Sequence, residues 1–155
     1  MYKRQALPNG ASQWISGPPA RDWVHQLRSG MDAVVVGGGT VRGDDPLLTS
    51  RGRRSPEPLR VVLSRSLDLP DQAQLWDTAV APTLVAHGPE ADPQRLPSGP
   101  DELVLSACEP EQLMEALAQR GCNQVLWECG PELAAAAIQQ GCVQEIAAVL
   151  SLIHI

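Results

Sequence analysis

Two junctions where an apolar strand runs into glycine concentrate the chemistry-bearing residues of this chain. In the first, Val34-Val-Val-Gly37-Gly-Gly39-Thr40, three glycines follow the valine run directly. Glycine at the carboxyl end of a parallel strand lets a ligand approach the backbone, and the helix start beyond it offers unpaired N–H groups to phosphate. The segment departs from GxGxxG, because after Gly37 and Gly39 the next glycine is Gly43. A tight turn under helix packing explains it equally well. In the second junction, Trp127-Glu128-Cys129-Gly130-Pro131-Glu132-Leu133-Ala134-Ala135, a strand again meets Gly-Pro and opens a helix. Ligands of open α/β sheets bind outside the carboxyl ends of strands, so both junctions would line one crevice. Glu128 sits at that strand end, where a carboxylate perturbed by burial could bond a substrate or donate a proton. Capping of a neighbouring loop is the bland alternative for Glu128. Two such junctions in one short chain point to a bound nucleotide.

Charge placement adds to this. Six of the eleven arginines (Arg42, Arg51, Arg53, Arg54, Arg60 and Arg65) lie between residues 42 and 65, against three acids there (Asp44, Asp45 and Glu57). Residues 66–155 reverse the balance, with two arginines against thirteen acids. A basic island in an acidic chain suits a phosphorylated small molecule, since arginine's fork matches phosphate oxygens. For Arg53 and Arg54 the plain reading is a solvated loop. A net charge of −6 argues against a general nucleic-acid binder held by phosphate neutralisation. His25 shares a helix with Trp23 and reads as structural, His87 borders a loop, and with no paired histidine or GxSxG elbow a hydrolytic triad is disfavoured. The four cysteines form no CxxC pair and have no histidine at ligand spacing, which disfavours zinc and a disulfide framework and suits reduced thiols in the cytoplasm. No metal is expected. Chemistry with neither metal nor nucleophile, beside two phosphate cradles, is what a nicotinamide cofactor would supply.

The elements that must position these groups follow from spacing. With 155 residues, 43% of them hydrophobic, the chain has the length and apolar content of a single domain. No apolar run approaches the length of a membrane span, so no membrane partner is expected. Ser16 before Gly-Pro-Pro predicts a helix start, with Ala20, Trp23, Val24 and Leu27 on one face and Gly30 closing it. Strands are predicted at 32–36, 59–63, 83–86, 102–105, 124–127 and, at the end, 144–149. Leu113, Ala116, Leu117 and Arg120 define a helix stopped by Gly121, and Pro131–Gln140 an alanine-rich helix ended by Gly141. Helix and strand alternate across connections mostly too long for hairpins. The expected fold is a three-layer α/β/α domain with a mostly parallel sheet.

The ends read differently. The only Lys and the only Tyr fall in Met1–Gln5, and both that segment and 150–155 resemble translated sequencing-adapter DNA. The expectation is a non-native leader over 1–5, a domain fragment over 6–149 and a non-native tail over 150–155.

Several blocks in register resemble the reductase domain of the bifunctional riboflavin-biosynthesis deaminase/reductase. They are Asn9-Gly-Ala-Ser12-Gln-Trp14-Ile-Ser-Gly, Ala20-Arg21 through Leu27-Arg28, Asp32-Ala-Val, Gly39-Thr40-Val, Asp44-Asp45-Pro46-Leu-Leu-Thr49-Ser-Arg51 and Glu128-Cys-Gly-Pro-Glu-Leu-Ala. The resemblance implies an incomplete dihydrofolate-reductase-like fold and reduction of 5-amino-6-(5-phosphoribosylamino)uracil by NADPH, with hydride delivered to the sugar's C1′. Carried over by position, Ser12, Arg28, Leu48, Arg51 and Glu128 would hold the substrate. Trp14, Thr40, Asp44, Gly130, Pro131, Glu132, Leu133, Ala134, Ala135 and Ala136 would hold NADPH. Asp44 and Glu128 are the candidate catalytic acids. The family also implies a homodimer. Against its pattern, Ser64 stands where an acid is usual and Arg65 where a small polar contact is expected, so that Arg65 either meets the 2′-phosphate of NADPH or is merely exposed. The family's Ser-Leu-Asp-Gly turn before Asn9, its Pro-Lys-Leu-Leu-Gly-like stretch after Val149 and its zinc-deaminase signatures have no counterpart in these residues. Two alternatives stand beside the lead: a related reductase acting on another pyrimidine or pterin, and a non-catalytic nucleotide-binding or dimerisation fragment.

Overall fold

The computed structural model describes residues 17–149; Ser12, Trp14, the Ser16 cap, and the terminal segments 1–5 and 150–155 lie outside the described residues. Five strands, β1 (Ala33–Gly37), β2 (Leu59–Leu63), β3 (Thr83–His87), β4 (Asp101–Val104) and β5 (Val125–Trp127), form one sheet in the order β4-β3-β2-β1-β5. Every pairing is parallel. The helices are α1 (Pro18–Ser29), α2 (Gly38–Asp44), α3 (Pro110–Gln119) and α4 (Pro131–Gln139). The three-layer α/β expectation holds, in the dihydrofolate-reductase-like arrangement.

The central strands read as unbroken apolar runs because both of their faces are covered. Ala33, Val35, Val61, Leu63, Leu84 and Ala86 pack beneath Leu113 and Leu117 of α3, with Leu133 of α4 against the same layer. The alternate residues Val34, Val36, Val62 and Val85 pack against Val41 of α2 and the loop residues Leu48, Leu67, Leu75 and Trp76. Each fully buried valine contributes about 1.5–3 kcal/mol from water exclusion. Gly121 (φ +85) and Gly141 (φ +70) follow α3 and α4 in the left-handed conformation that closes a helix, at the stops read from the sequence.

Two local expectations differ. The residue capping α1 is Gly17, in extended conformation and without a side-chain cap. The segment 144–149 forms no strand: Ile146 and Val149 are 75% and 50% exposed, and no described strand lies alongside to take its backbone groups. No helix among the described residues is long and apolar enough to cross a membrane.

Strand order decides where a site belongs. From β1 the chain moves outward through β2 and β3 to β4, then returns by α3 to lay β5 on the other side of β1. The connections therefore diverge between β1 and β5, and the crevice at such a switch point is where open α/β sheets bind ligands.

Candidate active site

Both glycine junctions open into that crevice. β1 ends at Gly37 and β5 at Trp127, and the Glu128 N–H donates to Val35 O at 2.9 Å, carrying the ladder one residue past β5. The crevice encloses about 680 Å³ between Gly37–Thr40 on one side and Gly130–Leu133 on the other. Thr40, Asp44, Gly130, Pro131, Glu132, Leu133 and Ala136 all line it; Ala134 and Ala135 belong to the same helix but do not. A Cβ on Gly38 would come within 3.2 Å of Leu69 Cδ2 and Ser64 Oγ, so the wall is close-fitted there. Gly130 caps α4 in extended conformation with no side chain on the first-turn amides. Those amides, aided by the helix dipole, form a surface for an anion. Arg42 and Arg65 add positive charge to the lining, beside the acids Asp44, Glu109 and Glu132. This lining of main chain, glycine and two cations fits a dinucleotide bearing phosphates.

Next to the crevice, side chains dominate. Arg28, at the end of α1, forks onto Glu128: Nε donates to Oε1 at 2.6 Å and Nη2 to Oε2 at 2.7 Å. Its Nη1 donates to Thr49 O at 3.0 Å. One guanidinium thus ties the α1 end, the β5 end and the α2–β2 loop together with charge-assisted bonds. Both side chains are largely sheltered, at 12% and 23% exposure. As arranged, both Glu128 oxygens accept from Arg28, which anchors the carboxylate that the sequence offered as a substrate contact or proton donor.

The α2–β2 loop is locally strained. Asp45 (φ +40), Leu48 (φ +54) and Arg51 (φ +58) are all left-handed without being glycine. Such conformations cost about 1–2 kcal/mol per residue and persist where the surroundings over-determine them. Here Asp45 accepts the Gln74 N–H at 2.8 Å, and the Leu48 side chain is buried in the core. Leu48 can therefore meet a substrate only through its main chain. Arg51 is exposed and bonded to no described residue.

The rest of the basic island is engaged. Arg60 is fully buried, with Nη2 donating to Asp77 O at 2.8 Å and Ala81 O at 2.7 Å, and Nη1 reaching Leu47 O and Gln74 O at 3.4 Å. It clamps main chain and cannot contact phosphate. Arg54 bonds Met31 O and pairs with Asp32 at 3.6 Å, and Arg53 pairs with Asp22, so both are surface ties. Arg42 holds Asp68, and Arg65 pairs with Glu109 at 3.2 Å while 72% exposed.

His25 lies nearer the site than its sequence setting implied. Burial, followed by the charges of Arg28, Arg51 and Arg53, pushes its pKa below the usual value, with Glu128 pulling the other way. Among the described residues its Nδ1 is buried without a hydrogen-bond partner, as is Trp127 Nε1 at the end of β5. The sequence reading also passed over Thr49 and Glu57. For Arg60 a signal existed: a lone arginine inside Leu59-Arg-Val-Val-Leu63, on a strand covered on both faces, has to be buried and multiply bonded.

Comparison with known proteins shows the family and the fold. The family model described as the RibD C-terminal domain matches residues 4–151. A riboflavin biosynthesis protein RibD of Synechocystis is 53% identical over 150 residues, covering 94% of this chain and 41% of that protein. The chloroplastic riboflavin biosynthesis protein PYRR of Arabidopsis thaliana is 40% identical over 147 residues, covering 92% of this chain and 24% of that protein. Among solved structures, a diaminohydroxyphosphoribosylaminopyrimidine deaminase/5-amino-6-(5-phosphoribosylamino)uracil reductase of Thermotoga maritima superposes with a TM-score of 0.75 at 30% identity, over 88% of this chain and 38% of that one. The chain thus spans less than half the length of each of these relatives.

Proposed function

The chain belongs to the RibD C-terminal domain family, and from that premise we propose that it reduces 5-amino-6-(5-phosphoribosylamino)uracil with NADPH, turning the ribosyl group into a ribityl chain. One observation carries the reading. A main-chain trough suited to a dinucleotide and the Arg28–Glu128 fork meet at the same strand ends, beside an exposed arginine. When bound, reduced nicotinamide supplies a hydride. Gly37–Thr40 and the first-turn amides of α4 would hold the pyrophosphate, with Asp44 and the α4 residues through Ala136 along the trough. Arg65 can leave its exposed pair with Glu109 at little expense, since such pairs are worth about 0–1 kcal/mol, and turn to a 2′-phosphate.

On the substrate side, Glu128 and the Leu48–Thr49 main chain accept from the amino groups of the pyrimidine, and Arg51 takes the ester phosphate. Arg28 keeps Glu128 aimed. As C1′ is reduced its bond to the ring oxygen opens, and that oxygen needs a proton. In this reading Asp44, which lines the crevice, delivers it, while Glu128 accepts from Arg28 at both oxygens. Ser12 and Trp14 complete the two sites in this reading. It also carries a cytoplasmic location and a homodimer, the latter checked by light scattering.

The decisive assay follows NADPH oxidation on addition of the phosphoribosyl substrate, after a tryptophan-fluorescence titration with NADPH and then NADH. Substrate-dependent oxidation, with NADPH bound more tightly than NADH, is the expected outcome. Saturable NADPH binding with no turnover would leave a nucleotide-binding module and overturn the reductase reading.

A further inference from the structure

Arg51 is bracketed by two amides that share one acceptor. Glu57 takes the Ser50 N–H on Oε2 at 2.6 Å and the Gly52 N–H on Oε1 at 3.0 Å. Ser50 is fully buried, and its hydroxyl accepts the Arg54 N–H at 3.1 Å. Between the clasped amides Arg51 is left-handed, and Gly52 continues at φ +78. Backbone amides around a left-handed residue make a concavity that binds anions. Here the anion is the protein's own carboxylate. Both amides are committed to Glu57, and Arg51 stands exposed with its five donors unengaged among the described residues. Each of the other five arginines between 42 and 65 already has an acidic or carbonyl partner.

We infer that Glu57 is a positioning residue. Its clasp on Ser50 and Gly52 presents Arg51 to the anionic end of the substrate and sets the preference for a phosphorylated over an unphosphorylated substrate. This rests on the reading of Arg51 as a substrate residue, and it goes beyond that reading by naming what fixes the arginine and what selectivity results. Burial raises the Glu57 pKa, but the bonds from Ser50 and Gly52 outweigh it and hold the carboxyl below its usual value, consistent with an anion as the clasp.

The test measures kcat and KM on the full chain, with the phosphoribosyl substrate and its dephosphorylated counterpart. Glu57→Gln should raise KM for the phosphorylated substrate about tenfold, the worth of a hydrogen bond to a charged group. It should leave kcat within about twofold and the dephosphorylated KM unchanged, with Glu57→Asp recovering part of the loss. In an Arg51→Ala background Glu57→Gln should add nothing. An equal rise for both substrates, or additive effects with Arg51→Ala, would overturn the inference. Hydrogen exchange on the wild type provides a second arm that needs no variant to fold: the Gly52 amide should be protected, and exchange at the rate of a free loop would refute the clasp. Absence of wild-type turnover would instead strike the proposed function, so the two failures are distinguishable.

Discussion

On the β1–β5 side of the crevice the lining is mostly main chain, whereas the loop side is a web of side chains. The first needs only glycines at two strand ends and the uncapped start of α4. The second needs Arg28 on Glu128 and Thr49, Glu57 on Ser50 and Gly52, and Arg60 on four carbonyls, all at once. Main-chain donors come with the fold and survive most side-chain changes. A polar web weakens when a member is removed, most where the partners left behind are sheltered from water, as around Arg60 and Glu128. Substitutions in the web should therefore be felt strongly, and those on the rim of the trough mildly.

The largest effect is expected at Arg60. Arg60→Met keeps the bulk but strips donors from the Asp77 and Ala81 carbonyls, and loosens Leu47 next to the strained loop. Removing a buried, multiply bonded donor should lower stability by about 3 kcal/mol, somewhat offset by relief of charge burial. Urea denaturation at neutral pH measures this. A loss under about 1 kcal/mol would mean that the web is not what holds the loop.

Next comes Glu128→Gln, which keeps the shape but breaks the charge-assisted fork. Turnover should fall about 100-fold, roughly 2.7 kcal/mol of barrier, with NADPH affinity changed less than about twofold. Unchanged turnover would remove Glu128 from the substrate site. A parallel loss of NADPH affinity would erase the division between the two halves.

On the trough side the effect should be smaller and confined to selectivity. Arg65→Ala should reduce the preference for NADPH over NADH about tenfold, while stability changes by less than about 0.5 kcal/mol because its pair with Glu109 is exposed. If the preference survives, the 2′-phosphate is read elsewhere, and Arg42 becomes the cation to test.

The same contrast explains what was legible in the sequence. The glycine junctions, the strand order's crevice and the stops at Gly121 and Gly141 have local signatures: an apolar run, then a residue that tolerates close approach or a left-handed backbone. The fork does not. Arg28 and Glu128 are 100 residues apart, and nothing near either shows that they pair. Resemblance placed both at the substrate site, but only coordinates show that each satisfies the other. The left-handed Asp45, Leu48 and Arg51 were hidden because residues other than glycine occupy them, held there by Gln74, core packing and Glu57. The arginine island misled through Arg60, which counted as surface charge although its strand is covered on both faces. Segment 144–149 misled because an apolar run predicts a strand only where another strand pairs with it, and none of the described strands does.

The smallest expected effect is a pH dependence carried by His25, Glu57 and Asp32. His25 has a folded-state pKa below the ordinary value of 6.5, through burial and then Arg28, Arg51 and Arg53. The unfolded chain therefore binds the His25 proton at a higher pH than the folded chain does, and stability declines as pH drops below about 6.5. The decline ends once the folded imidazole is also protonated. Glu57 is likewise lowered from 4.5, and Asp32 from 3.8 through its bonds from Gln124 and Asn123. Their stabilisation is present above those values and is lost as pH falls through the folded-state pKa, so it forms a second, more acidic step. Melts from pH 8 to pH 3 should show two separate declines, neither steeper than about 1.4 kcal/mol per pH unit for each proton taken up. His25→Gln should remove the first step and leave the second, whereas Glu57→Gln should shrink the second and leave the first. A first step that survives His25→Gln would show that burial and the charges of Arg28, Arg51 and Arg53 do not hold this imidazole's pKa down.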